Sequence, residues 1–308
     1  MRIAFLGTPD FAIPSLKMLC GEGYTVAGVF CQPDRPVGRS GRPVFPPTKV
    51  FALERGIPVF QPEKIRLPEG QAMLVSAAPD LMVTAAFGQI LSRENLAVAR
   101  LGCINVHGSL LPKYRGAAPV QWAVINGESV TGVTTMFTDV GLDTGDILLK
   151  KEITIGPDET AGELFNRVAE LGAVVLKDTL KALLAGTLAR ARQNEAEATK
   201  CRMLKKEDGH ADFSLPAKSV HNLIRGVDPW PGAYAVINGE PVKFWRSEPV
   251  IGSGVPGEIL FADPENGLVI AAKEGAVKIG QLQLPGGKRM DACAFFRGNR
   301  LPAGGRFS

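Results

Sequence analysis

The chain has 308 residues, of which 45% are hydrophobic and 21% charged, and this composition is typical of a globular protein with one large domain or two ordinary ones. No run of about 18 apolar residues occurs, so the sequence predicts no membrane-spanning helix. The five cysteines are scattered without a CxxC pair, which favours reduced thiols over a disulfide framework or a metal site. Because a strand pattern begins at residue 2 and leaves no room for a leader, we expect a cytoplasmic protein. From the cysteines and the missing apolar run, we expect that it binds no metal and no membrane.

The net charge of +4 is distributed unevenly. Residues 1–185 contain 18 basic and 18 acidic side chains, whereas residues 186–210 contain six basic against four acidic and residues 211–308 eleven against nine. A mild basic excess in the second half is compatible with a polyanionic partner, although a solvated basic face is the commoner cause of such an excess.

Strand-like and helical patterns alternate in the first half of the chain. The strand-like runs are 2–7, 25–31, 81–86, 103–107 and 132–138, and the helical patterns between them are 10–20, 48–55, 70–78 and 117–125. This alternation predicts βαβ units and an α/β domain with a doubly wound, mainly parallel sheet. A longer helical pattern at 159–185 ends at Gly186 and closes the first domain, which we place at residues 1–189.

The second half has a different pattern. Residues 190–206 are rich in charge and poor in large apolar side chains, as in a linker. Beyond them, 233–245 predicts a hairpin with Asn238-Gly239 at its turn, and short strand-like runs follow at 257–261, 267–272 and 275–284. Residues 207–308 are therefore predicted to form a smaller β-barrel or sandwich.

Two common site types are disfavoured by the sequence. The turn "GTPDF" at 7–11 lacks the second and third glycines of a dinucleotide fingerprint, and no phosphate-binding GxxxxGK[ST] loop occurs. Ser109 follows His107 closely, but the chain has no GxSxG elbow, and a nucleophile two residues from its own base has poor geometry. Ser109 is better explained as a turn or ligand-contacting residue.

The stretch "CINVHGSLLP" at 103–112 places two polar groups at the end of a predicted buried strand. Asn105 and His107 are two residues apart, so their side chains point to the same side of an extended chain. Ligands of doubly wound sheets bind at the carboxyl ends of strands. An amide donor and a group that titrates near neutrality suit acyl transfer, in which an oxyanion forms and an amine loses a proton.

An anion that orients the imidazole is the missing part of this set. The loop "DVGLDTGDIL" at 139–148 offers Asp139, Asp143 and Asp146. Aspartates are also common turn formers, so residue chemistry alone leaves the three candidates open.

"INVHGSLLPKYRGAAP" at 104–119 together with "GLDTGDIL" at 141–148 resembles the 10-formyltetrahydrofolate-dependent formyltransferases. The resemblance extends along nearly the whole chain. The loop "QPDRPVGR" at 32–39 and the added β-rich domain are similar to those members that formylate the methionine of initiator tRNA. Further matching stretches are "GTPDFA", "VFCQPDRPVGR", "PWPGAY" and "GEPVKFW".

The resemblance implies a formyltransferase fold followed by an OB-like barrel, with 10-formyltetrahydrofolate as co-substrate, methionyl initiator tRNA as partner and a monomeric state. It assigns catalysis to Asn105, His107 and Asp143. The family's folate-contacting run falls on Ser109, Leu110, Leu111 and Pro112.

Contact with tRNA is implied for two basic segments. The loop 31–49 carries five prolines and is too long for an ordinary turn between a strand and a helix, and its alternative is a plain surface loop. The linker is equally well explained as a solvated spacer. The basic residues that the resemblance points to are Arg35, Arg39 and Arg42 in the loop and Arg202, Lys205 and Lys206 in the linker.

Two enzymes of the same fold are alternatives, a formyltetrahydrofolate hydrolase and a glycinamide-ribonucleotide formyltransferase. Neither explains residues 207–308. A tRNA-binding module with an inactive site is an alternative from another class, and the complete Asn-His-Asp set argues against it.

Overall fold

The structure, a computed structural model, describes residues 1–36, 43–301 and 305–308. The chain forms two compact units that alternate along the sequence. The first unit comprises Met1–Gly116, Thr131–Ile153 and Phe165–Cys201, and the second comprises Ala117–Val130, Thr154–Leu164 and Arg202–Ser308. The boundaries at residues 189 and 206 stay a prediction.

The described helices are, in chain order, α1 (Ile13–Gly21), α2 (Pro47–Leu53), α3 (Pro68–Ala77), α4 (Arg93–Leu96), α5 (Pro119–Ile125), α6 (Ala161–Leu184), α7 (Ala217–Gly226) and α8 (Ala292–Phe296). Short 3₁₀ turns lie at Asp10–Ala12, Glu195–Glu197 and Lys206–Gly209.

The described strands are β1 (Arg2–Gly7), β2 (Thr25–Phe30), β3 (Arg35–Pro36), β4 (Pro43–Val44), β5 (Val59–Phe60), β6 (Leu81–Ala85), β7 (Cys103–His107), β8 (Arg115–Gly116), β9 (Val130–Phe137), β10 (Ile147–Thr154), β11 (Lys200–Cys201), β12 (Ala233–Ile237), β13 (Glu240–Val250), β14 (Ile259–Asp263), β15 (Gly267–Ala271), β16 (Ala276–Gln283) and β17 (Met290–Asp291).

A seven-stranded sheet with the order β10-β9-β7-β6-β1-β2-β5 forms the core of the first unit. The pairs β1–β2, β1–β6, β6–β7 and β2–β5 are parallel, and β7–β9 is antiparallel. The predicted mainly parallel sheet is confirmed. Because β1, β6 and β7 are parallel neighbours, their carboxyl ends lie at one edge of the sheet, where ligands of such folds bind.

The central strands are apolar because both faces of the sheet are covered. β6 is buried along its whole length, as is typical of a central parallel strand. On one face, Ala4 and Leu6 of β1 and Met82 of β6 share a buried cluster with Leu74 of α3. This packing holds the strand ends that carry the polar side chains in a fixed register.

The second unit is built around an antiparallel sheet with the order β12-β13-β16-β15-β14, and β17 pairs with β16. The predicted hairpin is confirmed: Ile237 pairs with Glu240, and Asn238 and Gly239 have φ of 50° and 83°, the signature of a type I′ turn. The sheet closes through residues 306–308. Ser308 exchanges two backbone hydrogen bonds with Val236 of β12, and Phe307 donates its N–H to the carbonyl of Gly257, just before β14.

In the described part of the chain, no helix combines the length and apolar character that crossing a membrane requires.

Candidate active site

β7 brings the two polar side chains of the predicted site to the carboxyl edge of the sheet. Its neighbours fix the register, since Asn105 lies opposite Thr84 of β6 and Met136 of β9. His107 is 6% exposed and Asn105 is half-buried. The side chains of Asn105 and His107 point to the same side of β7, where both face Asp143, as the alternation of side chains along a strand predicts.

The orientation of the Asn105 amide is set by Thr84. The Thr84 hydroxyl donates to Oδ1 of Asn105 at 2.8 Å, so the amide nitrogen points away from β6. That nitrogen, Nδ2, lies 3.5 Å from Oδ1 of Asp143. The amide therefore presents a donor to the same space as the carboxylate. Thr84 is absent from the residues predicted from the sequence, where its only signal is a polar side chain near the end of the strand beside β7.

His107 contacts one acceptor on each side of its ring. Nε2 lies 2.9 Å from the carbonyl oxygen of Tyr114, and Nδ1 lies 3.7 Å from Oδ2 of Asp143. With both ring nitrogens protonated, Nε2 donates to the Tyr114 carbonyl and Nδ1 faces the Asp143 carboxylate, whereas either neutral tautomer turns one lone pair toward an oxygen. The contact with Asp143 is longer than a hydrogen bond.

The structure places Asp143, among the three aspartates, against Asn105 and His107. Its Oδ2 also accepts the backbone N–H of Gly116 at 2.8 Å. The carboxylate of Asp139 instead accepts from the hydroxyl of Thr144 and the N–H of Gly141, so it shapes the loop. Asp143 has φ of 53°, a left-handed conformation that is uncommon for a residue with a side chain.

The run Ser109–Pro112 forms a tightly bonded turn after β7. The Ser109 hydroxyl donates to the carbonyl of Lys113 at 2.7 Å, and the hydroxyl of Thr134 bridges the Ser109 carbonyl and the Leu111 N–H. Ser109 and Leu111 are fully buried, whereas Leu110 is half-buried. Leu110 is therefore the apolar side chain of this run with surface left for a ligand.

A second group of side chains, absent from the sequence predictions, supports the Asp143 loop. Nε2 of Gln193 donates to the carbonyls of Asp143 and Gly145, both at 2.8 Å. Oε1 of Gln193 accepts from Nε of Arg115 at 3.0 Å, and both terminal nitrogens of Arg115 donate to Glu195. The ion pair with Glu195 raises the pKa of Arg115 and lowers that of Glu195.

Comparison with known proteins identifies the family. The formyl transferase model matches residues 1–180, and the model of the formyl transferase C-terminal domain matches residues 203–300. The chain belongs to the formyl transferase family. The predicted resemblance and fold class are thereby confirmed.

Relatives of this formyl transferase are similar over nearly its whole length. A methionyl-tRNA formyltransferase of Ruminiclostridium cellulolyticum is 50% identical over 308 residues, covering 99% of this chain and 98% of the relative. One of Geobacter metallireducens is 48% identical over 304 residues, covering 99% and 97%.

Solved structures share the fold at low identity. The sugar 3N-formyl transferase WlaRD has a TM-score of 0.68 and 21% identity, covering 91% of this chain and 97% of its own. HypX from Aquifex aeolicus, in complex with tetrahydrofolic acid, has a TM-score of 0.63 and 20% identity, covering 96% of this chain and 46% of its own.

Cys103 and Cys31 of this formyl transferase do not supply a nucleophile. Burial raises the pKa of Cys103, at the start of β7, to about 12 and that of Cys31 to about 11. Both remain thiols at neutral pH. Within the described residues, no three His, Cys, Asp or Glu side chains form a group that could hold a metal ion.

The loop 31–49 carries the first set of predicted tRNA contacts. Its ends pair as a short hairpin, with Arg35 opposite Val44 and Pro36 opposite Pro43. The Arg35 side chain is exposed and contacts Glu63 at 2.8 Å. Arg39 and Arg42 lie outside the described residues.

The second set of predicted contacts follows the first unit. Arg202 forms an ion pair with Asp208, which keeps the pKa of that carboxyl below its usual value, and its guanidinium lies 5.2 Å from the ring centre of Trp122. Lys205 and Lys206 are exposed. Arg202 is thus already engaged within the protein, whereas the two lysine side chains face solvent.

Proposed function

We propose that this formyl transferase moves the formyl group of 10-formyltetrahydrofolate to the α-amine of methionine on initiator tRNA. The observation that carries formyl transfer is the meeting of Asn105, His107 and Asp143 at the carboxyl edge of the sheet. The choice of acceptor is supported by the similarity, over 99% of the chain, to proteins named methionyl-tRNA formyltransferase.

The reaction replaces one carbon–nitrogen bond by another. The methionine amine attacks the formyl carbon, the carbonyl becomes a tetrahedral oxyanion, and the bond from that carbon to the folate nitrogen breaks. The amine loses one proton and the folate nitrogen gains one, so charge and atoms balance. Holding both substrates in one geometry is itself part of the rate enhancement.

Each of the three side chains has a role that fits its contacts. Nδ2 of Asn105 donates to the oxyanion, because Thr84 holds the amide oxygen on the other side. His107 carries the proton between the two nitrogens, directly or through water. Asp143 orients the imidazole and stabilises its charged form from Oδ2.

The folate is assigned to the turn Ser109–Pro112. Its polar groups are bonded internally, so this turn offers shape and the half-buried surface of Leu110 to a flat heterocycle. The tetrahydrofolic acid complex of HypX, which has the same fold, supports a folate as the co-substrate.

Recognition of tRNA is assigned to Arg35, Arg39 and Arg42 in the loop and to Arg202, Lys205 and Lys206 after the first unit. Arg202 already pairs with Asp208, which makes the two exposed lysines the simpler contacts. We further propose that the enzyme is a monomer and that it works in the cytoplasm.

The test compares acceptors. The protein is mixed with 10-formyltetrahydrofolate and either methionyl initiator tRNA, no acceptor, or glycinamide ribonucleotide, and release of tetrahydrofolate and formylated product are measured. We expect formylmethionyl-tRNA in step with tetrahydrofolate, and little turnover otherwise. If tetrahydrofolate is released equally fast without acceptor, the protein is a formyltetrahydrofolate hydrolase. If only glycinamide ribonucleotide is formylated, it is a glycinamide-ribonucleotide formyltransferase.

A further inference from the structure

The segment after α6 contacts the loop that carries Asp143. The amide nitrogen of Gln193 donates to two carbonyls of that loop, those of Asp143 and Gly145. Ala191, two residues earlier, exchanges two backbone hydrogen bonds with Ile147, at the start of β10. The segment 190–195 is therefore held by backbone hydrogen bonds to β10 and by side-chain hydrogen bonds to the loop itself.

The loop needs such external bonds. Asp143 has φ of 53°, which costs energy for any residue with a side chain. Gly145 is pressed against β9, since a Cβ at this position would lie 1.7 Å from the carbonyl oxygen of Phe137. A loop with this backbone keeps one conformation only if neighbouring groups hold it.

The Gln193 amide is itself held in one orientation. Nε of Arg115 donates to its oxygen at 3.0 Å, which leaves the amide nitrogen for the two loop carbonyls. Arg115 is 2% exposed and forms a two-pronged ion pair with Glu195. A reversed amide would set its NH₂ against the guanidinium and its oxygen against two carbonyls.

We propose that Gln193, oriented by Arg115 and Glu195, is a positioning residue that holds Asp143 in place for formyl transfer. The inference rests on the proposed function and deepens it. It gives the predicted linker a role in the chemical step, since the start of that segment fixes the carboxylate that faces His107.

A double-mutant cycle tests this role. Gln193→Met removes both polar ends at similar volume, and Asp143→Asn removes the carboxylate. We expect Gln193→Met to lower kcat for methionyl-tRNA formylation by up to about 10²-fold, the scale of a misplaced catalytic group. The KM values for both substrates should stay within about twofold, because ground-state binding is untouched. In the Asp143→Asn protein, Gln193→Met should cause no further loss of kcat.

The matched control is Asn194→Ala, an exposed neighbouring amide whose side chain bonds to Ala196 and Glu197. It should leave kcat unchanged. If Gln193→Met does not fold, Gln193→Glu keeps the acceptor for Arg115 but lacks the donor, and it should show the same loss. Thermal unfolding of every variant separates lost positioning from lost folding.

The outcomes distinguish failure of the proposed function from failure of the positioning role of Gln193. A wild-type protein that does not formylate methionyl-tRNA overturns the proposed function. An active wild type with an impaired Asp143→Asn, but with normal kcat in Gln193→Met and Gln193→Glu, overturns only the positioning role. Losses that multiply in the double variant also overturn it, because they mean that Gln193 acts independently of Asp143.

Discussion

Asn105 can stabilise an oxyanion only when its amide nitrogen, and not its amide oxygen, faces the oxyanion oxygen. The amide has two similar ends, and nothing in its own shape selects one. Thr84 makes the selection, because its hydroxyl donates to Oδ1 at 2.8 Å. The donor that the chemistry needs is thus fixed by a residue on the neighbouring strand β6.

The first prediction follows from this arrangement. Asn105→Ala should lower kcat about 10²–10³-fold, the usual effect of losing one oxyanion donor. Thr84→Val, which keeps shape and removes the hydroxyl, should cause part of that loss with KM unchanged, because the amide is no longer held in one orientation. Steady-state kinetics checks both variants.

Thr135→Val serves as the control for a lost hydroxyl. Thr135 is a buried residue of β9 that bonds to Thr179 and to the backbone of Leu149, away from Asn105. It should reduce stability and leave kcat as in the wild type. A fall in kcat equal to that of Thr84→Val would mean that any lost hydroxyl in this sheet disturbs the site.

Residue chemistry alone could propose Asn105 and His107 but not one aspartate. The period of two is local, so their common direction is readable from the strand pattern. The roles of Asp139 and Asp143 differ because one carboxylate forms its hydrogen bonds inside the loop. Only the folded loop shows that the Thr144 hydroxyl donates to Asp139. The contact of Gln193 with the Asp143 loop could not be predicted for a similar reason, since the two residues are 50 positions apart in the sequence.

At the level of elements, the loop 31–49 is tied down at its base. Nζ of Lys49 contacts Asp34 at 2.6 Å and Gln61 at 2.8 Å, and Gln61 also donates to Asp34. Lys49 further lies 4.2 Å from the ring centre of Phe45. Lys49 is thus an anchor of the loop within the protein.

The anchor should be sensitive to acid. The hydrogen bonds from Lys49 and then Gln61 lower the pKa of Asp34 in the folded state. A lowered folded pKa stabilises the fold above the unfolded value of about 3.9, and this stabilisation disappears as the pH falls through the folded pKa. Asp34→Asn should therefore be less stable than the wild type at pH 7, and the difference should vanish in strong acid.

Denaturant unfolding of both proteins at several pH values measures this difference. A gap in the free energy of unfolding that is the same at pH 7 and in strong acid would contradict the anchor, because an ionised Asp34 would then not be its source.

Arg35 gives a test of the loop as a tRNA contact. Arg35→Ala should weaken binding of methionyl-tRNA and reduce the salt slope by about one unit, the effect of one lost phosphate contact. Arg100→Ala is the matched control, since Arg100 is also exposed and also pairs with an acid, Asp80, which precedes β6 at the opposite edge of the sheet. Equal slopes for wild type, Arg35→Ala and Arg100→Ala would remove Arg35 from the interface.

Most elements of the sheet were predictable because apolar strands and amphipathic helices have periodic patterns. Two of the missed elements contain polar residues that hide their pattern. β10 reads "ILLKKEIT", with three consecutive charged residues in an edge strand, and α7 reads "AKSVHNLIRG", whose buried His221, Asn222 and Arg225 look like surface residues in a sequence. Arg225 is accommodated because it donates to the carbonyls of Gly156 and Glu159.

At the level of the whole molecule, the chain does not divide at one point. Residues 117–130 and 154–164 belong to the second unit although they lie between segments of the first. α5 packs against α7 across about 100 residues of sequence. Local sequence patterns carry no information on such pairings.

Closure of the second unit depends on the last residues. Phe307 is 2% exposed and packs on Phe213 and Phe244, while its backbone helps to join the two edges of the sheet. Phe307→Ala should lower the free energy of unfolding by about 3–5 kcal/mol, as for other buried phenylalanines. Denaturant unfolding measures the loss.

Phe261→Ala is the comparison, because Phe261 is 48% exposed on β14 of the same sheet. It should change stability by no more than about 0.5 kcal/mol. Similar values for the two variants would mean that residues 306–308 do not complete the core of the second unit.

The most direct test of the central claim is a single-turnover measurement of formyl transfer. Protein in excess over methionyl-tRNA is mixed with 10-formyltetrahydrofolate, and formylmethionyl-tRNA is followed in time for wild type, Asp143→Asn, Asp139→Asn and Asp146→Asn. Because Asp143 alone of these contacts both Asn105 and His107, its variant should lose most of the chemical rate and keep tRNA affinity, while the other two lose far less. Equal losses in all three variants, or no product from the wild type, would contradict the account.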